Sequence, residues 1–293
     1  MQPILSYLRP WEFSPTVLVC CALAAAAYTR GLVLTKRTGE ATGFWRPLSF
    51  FVGLGLIYIA LQTYFDFLSQ HMFWVHRLQH LILHHVGPFL LVLASPIGIM
   101  SRGVPRRLRE RVLRPFWRNR WVQSLYSFLQ NPVIAPLLFV GLIYFWLSPA
   151  IHFTVMLDED RYRLMNWSMV VDGILFWWLM LAPRSTHGEA NISYLKRILI
   201  LFIVMIGQVL LGAYIFLHKS VLYDVYGICG RAWAISPMTD QQLGGLITWI
   251  PPSMMCVIAL LVILRRLLHE DEATTPAHPA LAGATTQKAG QYP

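Results

Sequence analysis

Met72, His76, His80 and His84 recur every four residues within a strongly apolar part of the chain. On a helix each four-residue step turns a side chain by about 40° and advances it by about 6 Å. The spacing therefore predicts a narrow stripe of one thioether and three imidazoles along one helix face. Polar and ionisable groups inside a membrane are costly and point to function. Imidazole together with thioether suits a soft or borderline transition metal, copper above all. His76 and His80 can place two ring nitrogens on one ion, as helical histidine pairs do elsewhere. His152 offers a third ligand, leaving an exchangeable position for Met72 or water. His84 lies about 12 Å along the helix from His76, too far for the same ion, and marks an inner site.

The segments that must position these residues read as membrane spans. Of 293 residues, 56% are hydrophobic and only 13% charged, about half the charged share of a soluble domain. The implied fold is an all-α polytopic bundle. Roughly 20 apolar residues span a bilayer, and seven such segments can be drawn, at 15–34, 46–68, 71–99, 132–156, 163–183, 194–218 and 241–267. Basic residues concentrate in alternate loops: Arg30, Lys36, Arg37 and Arg46; the arginines from Arg102 to Arg120; Arg184, Lys196 and Arg197; and Arg265, Arg266 and Lys288. The opposite side has Arg9, Arg161, Arg163, Lys219 and Arg231, and carries the acidic run Asp158-Glu159-Asp160. The positive-inside rule then puts the amino terminus outside and the carboxyl terminus in the cytoplasm. It also accounts for the net charge of +10 without nucleic acid. A transmembrane domain over 1–269 is expected, with a basic amphipathic segment at 104–128 lying on anionic headgroups. The tail 270–293, rich in Ala, Thr, Pro and Gly, is expected to be disordered and cytoplasmic. No cleavable signal peptide is expected, because no basic region precedes the first apolar run.

Orientation gives the histidines a depth. His76 and His80 fall in the outer half, His84 near the midplane, and His71, His152 and His218 at the outer ends of their segments. His187, His269 and His278 fall on the cytoplasmic side. Pro88 removes the amide that would have bonded the His84 carbonyl, and His85 is turned about 140° from His80 toward a neighbouring helix. Arg77 is expected to snorkel outward or to pair with Asp66 or Asp172. Asp172 is either its counter-charge or a proton carrier. Gln208 reads as interhelical glue, and 239–242 as a capping box opening the last span. Gly244-Gly245 permits close helix approach and Pro251-Pro252 predicts a kink. Cys20, Cys21 and Cys256 read as buried small hydrophobes, and Cys229 as a loop thiol that could ligate transiently. Met156, Met165, Met169 and Met238 lie toward the outer face, as packing or as a soft-metal rim.

The run from Asp66 to Pro96, DFLSQHMFWVHRLQHLILHHVGPFLLVLASP, resembles the signature of the multi-spanning CtaG-type cytochrome c oxidase assembly factors. So does 230–251, GRAWAISPMTDQQLGGLITWIP, and so does His152 shortly after Trp146. The resemblance implies a non-enzymatic assembly factor that delivers copper to the catalytic subunit of a haem-copper oxidase, supplied by a periplasmic copper donor. It carries His76, His80 and His152 as matched histidines. Arg77 stands where that family usually has Met, and His84-His85 where Met-Met is common. A histidine pair usual in the fifth span is replaced by Met165-Asn166-Trp167-Ser168-Met169, with Asp172 beyond. Two other readings stay open. A haem could be held between His76 or His80 and His152 or His218, or His84, Asp172 and Gln208 could line a copper-uptake path.

Overall fold

The computed structural model describes residues 13–40, 42–182 and 192–274, with side chains as far as 268. Arg9, Arg184, His187, His278, Lys288, the His269 side chain and the tail beyond 274 lie outside it. Among the described residues the chain is largely helical, with no strand. Five helices are long and apolar enough to cross a membrane, and seven spans result if each of two sharply bent pairs counts as one.

The first two helices are α1 (Pro15–Arg37) and α2 (Trp45–Gln62). The second was expected to continue to residue 68, but Thr63 is extended and ends it. Its hydroxyl donates back to the Ile59 carbonyl and accepts the Phe65 amide, so one side chain closes α2 and caps α3 (Tyr64–His71). Met72 is extended as well, and the third span begins after it as α4 (Phe73–His80). A π-helical turn (Leu81–Val86) and α5 (Gly87–Leu93) continue the same rod. At Ser95, a left-handed residue, the chain bends by 72° into α6 (Pro96–Gly103), which lies against α1.

The basic segment forms α7 (Arg106–Leu108), a second π turn (Arg109–Leu113), α8 (Arg114–Arg118) and α9 (Arg120–Leu129). None of its residues is buried, and Trp117, Trp121 and Leu125 project outward. The second bent pair is α9 with α10 (Ile134–Leu147), which meet at 72°; α10 ends at Ser148, and α11 (Pro149–Met156) follows. Pro149 has no amide to continue the ladder and is suited only to a first turn. Next come α12 (Glu159–Leu181), capped by Asp158, α13 (Tyr194–Leu217), capped by Ser193, and a short α14 (Val225–Ile228).

The last helix, α15 (Pro237–Thr274), starts four residues before the expected 241. Ser236 accepts the Thr239 amide, making Ser236 the cap and Pro237 the first residue. Pro251 and Pro252 lie inside this continuous helix, which runs through 270–274, where the disordered tail was expected to begin. Cys256 is buried as expected, whereas Cys20 is exposed and Cys21 half-buried, because α1 turns most of its surface away from the bundle.

The rod formed by α4, its π turn and α5 occupies the middle, contacted by α2, α12 and α15. Its polar residues are consequently buried by neighbours on every side. Two apolar cores flank it. Phe73, Trp146, Met165, Met169, Tyr223 and Tyr226 pack at the histidine end, and Phe89, Phe139, Phe176, Trp177 and Ile263 at the basic end.

Candidate metal centre

His76 and His80 sit one turn apart on α4, fully buried, with ring centroids 4.4 Å apart. Neither nitrogen of either ring has a hydrogen-bond partner. The Ser69 backbone lies toward His76 and the Asn166 side chain toward His80 without reaching hydrogen-bonding geometry. A buried polar atom left without a partner costs roughly 1–3 kcal/mol. Four such atoms side by side therefore call for a ligand.

His152, buried on α11, brings its ring to 5.1 Å from that of His76. Its Nδ1 lies 3.1 Å from the Trp146 carbonyl, which can only accept, so Nδ1 carries the proton. The lone pair is thereby left on Nε2, 2.9 Å from the Tyr226 hydroxyl, which donates to it. A backbone carbonyl behind one ring nitrogen is how metal-ligating histidines are commonly oriented. Tyr226 remains a hydroxyl: burial, then the nearby Tyr162 and Asp240, hold its pKa well above the usual phenol range. As they stand, no three His, Cys, Asp or Glu side chains among the described residues are arranged to hold a metal ion. His76, His80 and the Nε2 of His152 come nearest in chemistry, with Tyr226 occupying the third donor.

The expected four-residue stripe is broken at both ends. Met72 precedes the helix and is buried in a separate apolar cluster with Leu68, Val75 and Trp74. At the other end the π turn inserts an extra residue per turn and swings His84 and His85 both inward. His84 stacks on Phe139 and bonds Asp172 at 2.9 Å. His85 lies 3.4 Å from the Gln208 amide, so that glutamine does join two helices. The His84 carbonyl orphaned by Pro88 accepts the Trp177 indole N–H at 3.2 Å. Gly173 makes this approach possible, since a Cβ there would stand 2.5 Å from the same carbonyl.

Arg77 pairs with neither expected carboxylate. Its Nε donates to Thr248 at 3.0 Å, and its side chain is buried rather than reaching headgroups. Asp172 is taken by His84. Asp66 accepts from Gln70, Gln79 and Tyr162 at 2.9, 2.6 and 2.8 Å. Arg77, His80, His84, His85, Met169 and Thr248 surround a cavity of about 10 Å³, the room one water needs. His218 is half-buried and turned onto Ser220, Cys229 is exposed after α14, and His71 bonds the Phe67 carbonyl. None of these three joins the buried cluster.

Asp240 was expected only to open α15. Its carboxylate, 1% exposed, instead accepts the Phe73 and Trp74 amides at 3.1 and 2.9 Å and is held from behind by Arg231. It thus caps α4, the helix that carries the histidines. Gly244, one turn further along α15, makes room for Phe73, whose ring would meet a Cβ at 2.3 Å. Replacing Asp240 by Ala frees two helix-start amides and strands Arg231, at a cost of about 2 kcal/mol or more. We expect a lower melting temperature in detergent, and an unchanged midpoint would refute the capping role.

The fold and site define a polytopic helical membrane protein whose central rod carries a buried, unsatisfied histidine pair. The chain belongs to the cytochrome c oxidase caa3 assembly factor family, whose model matches residues 26–270. Two uncharacterised mycobacterial proteins, from Mycobacterium bovis and Mycobacterium tuberculosis, are each 25% identical to it over 275 residues. The match covers 90% of this chain and 40% of each relative, so the chain spans less than half their length. No solved structure matches.

Proposed function

We propose that this protein carries a copper ion as cargo on His76, His80 and His152 and hands it to the catalytic subunit of a haem-copper oxidase, without catalysing a reaction itself. The observation that carries this reading is the fully buried His76/His80 pair with four unpartnered ring nitrogens. Family membership supplies the oxidase. The loop charges support an orientation in which the histidine end of the bundle faces the periplasm of a bacterial inner membrane, open to a periplasmic copper donor. Tyr226 is the group that yields, exchanging its bond to His152 for the ion, and its return favours release.

The haem alternative fits less well. Phe73 and Tyr223 pack edge-on and Tyr226 tilted against His152, where a macrocycle would have to lie, and His218 is turned onto Ser220. In a strain lacking the gene, oxidase polypeptides should persist while oxidase activity falls, and added copper should restore part of it. Unchanged oxidase activity, measured as oxygen uptake with a reduced donor, would refute the proposal.

A further inference from the structure

Beside the histidine pair lies a cavity of about 260 Å³ lined by Ser14, Asp66, Gln70, Met156, Asp158, Glu159, Tyr162 and Asn166, among others. It is graded in depth. Leu157, Glu159 and Arg163 at one end are exposed, whereas Asp66, Tyr162 and Asn166 at the other are buried. The acidic rim is partly matched by arginine, with Asp158 paired to Arg161 and Glu159 to Arg163. Deeper in, the Asp66 carboxylate accepts from Gln70, Gln79 and Tyr162.

Two observations connect this space to the histidines. Asn166 lines it, is 3% exposed, and has an amide oxygen with no partner, while the same side chain lies toward His80. Tyr162 lines it too, and its ring stands 6.1 Å from that of His76, with the hydroxyl tied to Asp66 and Ser69. Tyr162 and Asn166 are thus the wall shared by the cavity and the histidine pair. The lining offers a thioether at half-buried Met156, a carboxylate at exposed Glu159, a buried carboxylate at Asp66 and a buried amide oxygen at Asn166.

We propose that this cavity is the access vestibule through which a soft monovalent cation reaches His76 and His80, with Tyr162 and Asn166 as its gate. The proposal rests on the histidine pair being the cargo site. The ion sheds water onto neutral oxygens and the Asp66 carboxylate, and rotation of Tyr162 away from Asp66 opens the last step. Only ligand exchange is involved, with no change of oxidation state.

The test uses the purified full-length protein in detergent with Ag(I) as a redox-stable probe, following loading rate and final stoichiometry separately. Leu157→Cys labelled with a bulky maleimide should load at least tenfold more slowly than the parent treated with the same reagent, with the same final stoichiometry. Leu157 is 55% exposed on the rim, so this variant leaves the fold intact. Asp66→Asn should also slow loading about tenfold. Loading of the labelled variant at the parent rate would overturn the vestibule. Loss of one bound ion in Asp66→Asn would overturn it as well, by making the cavity the binding site. Retention of full stoichiometry after His76→Leu with His80→Leu would instead overturn the cargo site beneath it.

Discussion

Replacing His76 and His80 together by leucine should abolish high-affinity Ag(I) or Cu(I) binding and reduce oxidase activity in cells to the level of the deletion. The metal-free variant should nevertheless melt at the same temperature as the parent or higher. The two effects have one cause. Both rings are buried with no hydrogen bond on any of four nitrogens, so they contribute packing but no polar stabilisation. Leucine keeps much of the volume and removes the desolvated atoms, which favours the fold by roughly 1–2 kcal/mol per residue. A functional site kept at the expense of stability has this signature. Histidines that served only as interhelical glue would behave in the opposite way, and their loss would lower the midpoint. Isothermal titration with Ag(I) and thermal unfolding of the same preparations decide between these outcomes. Binding retained at parent affinity, or a midpoint several degrees lower, would remove His76 and His80 from the site.

How much of this was legible in the sequence depended on the range of the interaction. His76 and His80 share a face because of their spacing alone, and α4 is regular between them. The apolar runs located the five helices long enough to cross a membrane, because hydropathy needs no knowledge of partners. The π turn was not legible, since it comes from Pro88 removing an amide and from Trp177 and Gly173 accommodating the His84 carbonyl. Those last two residues lie about 90 positions further on. The break at Thr63 carried no Gly or Pro signal. The start of α15 did carry one, in Ser236-Pro237, and the acidic residue four positions beyond drew the boundary too late. Asp240 itself looked like a local cap because its real partners, Phe73 and Trp74, are 167 and 166 residues away. Tyr162 gave no sequence signal, and Asn166 showed only as part of the stretch that replaces the family's histidine pair, since both acquire meaning only from what they face. Arg77 was visible as an anomaly, but its neighbours could not be inferred from its charge.

Arg77→Met should raise the affinity of the site for divalent ions far more than for monovalent ones. Arg77 adjoins His76 in sequence and shares a cavity wall with His80, His84 and His85. Its guanidinium, 5% exposed, is therefore a fixed positive charge close to any bound cation. Two unit charges about 8 Å apart at an effective dielectric of about 20 repel by about 2 kcal/mol. A divalent ion suffers about twice that, so removing the charge strengthens monovalent binding about 30-fold and divalent binding about 1,000-fold. Selectivity for the monovalent ion then falls about 30-fold. Methionine is also the residue that the family resemblance places at this position, and its unbranched side chain fills the space left beside Thr248. Competition titrations of Ag(I) against Zn(II) on parent and variant measure the ratio directly. An unchanged ratio would show that Arg77 is screened from the ion, so that selectivity would have to come from the softness of the donors alone. A ratio shifted toward Zn(II) would make Arg77 the residue by which this chain rejects divalent ions at a histidine site that would otherwise attract them.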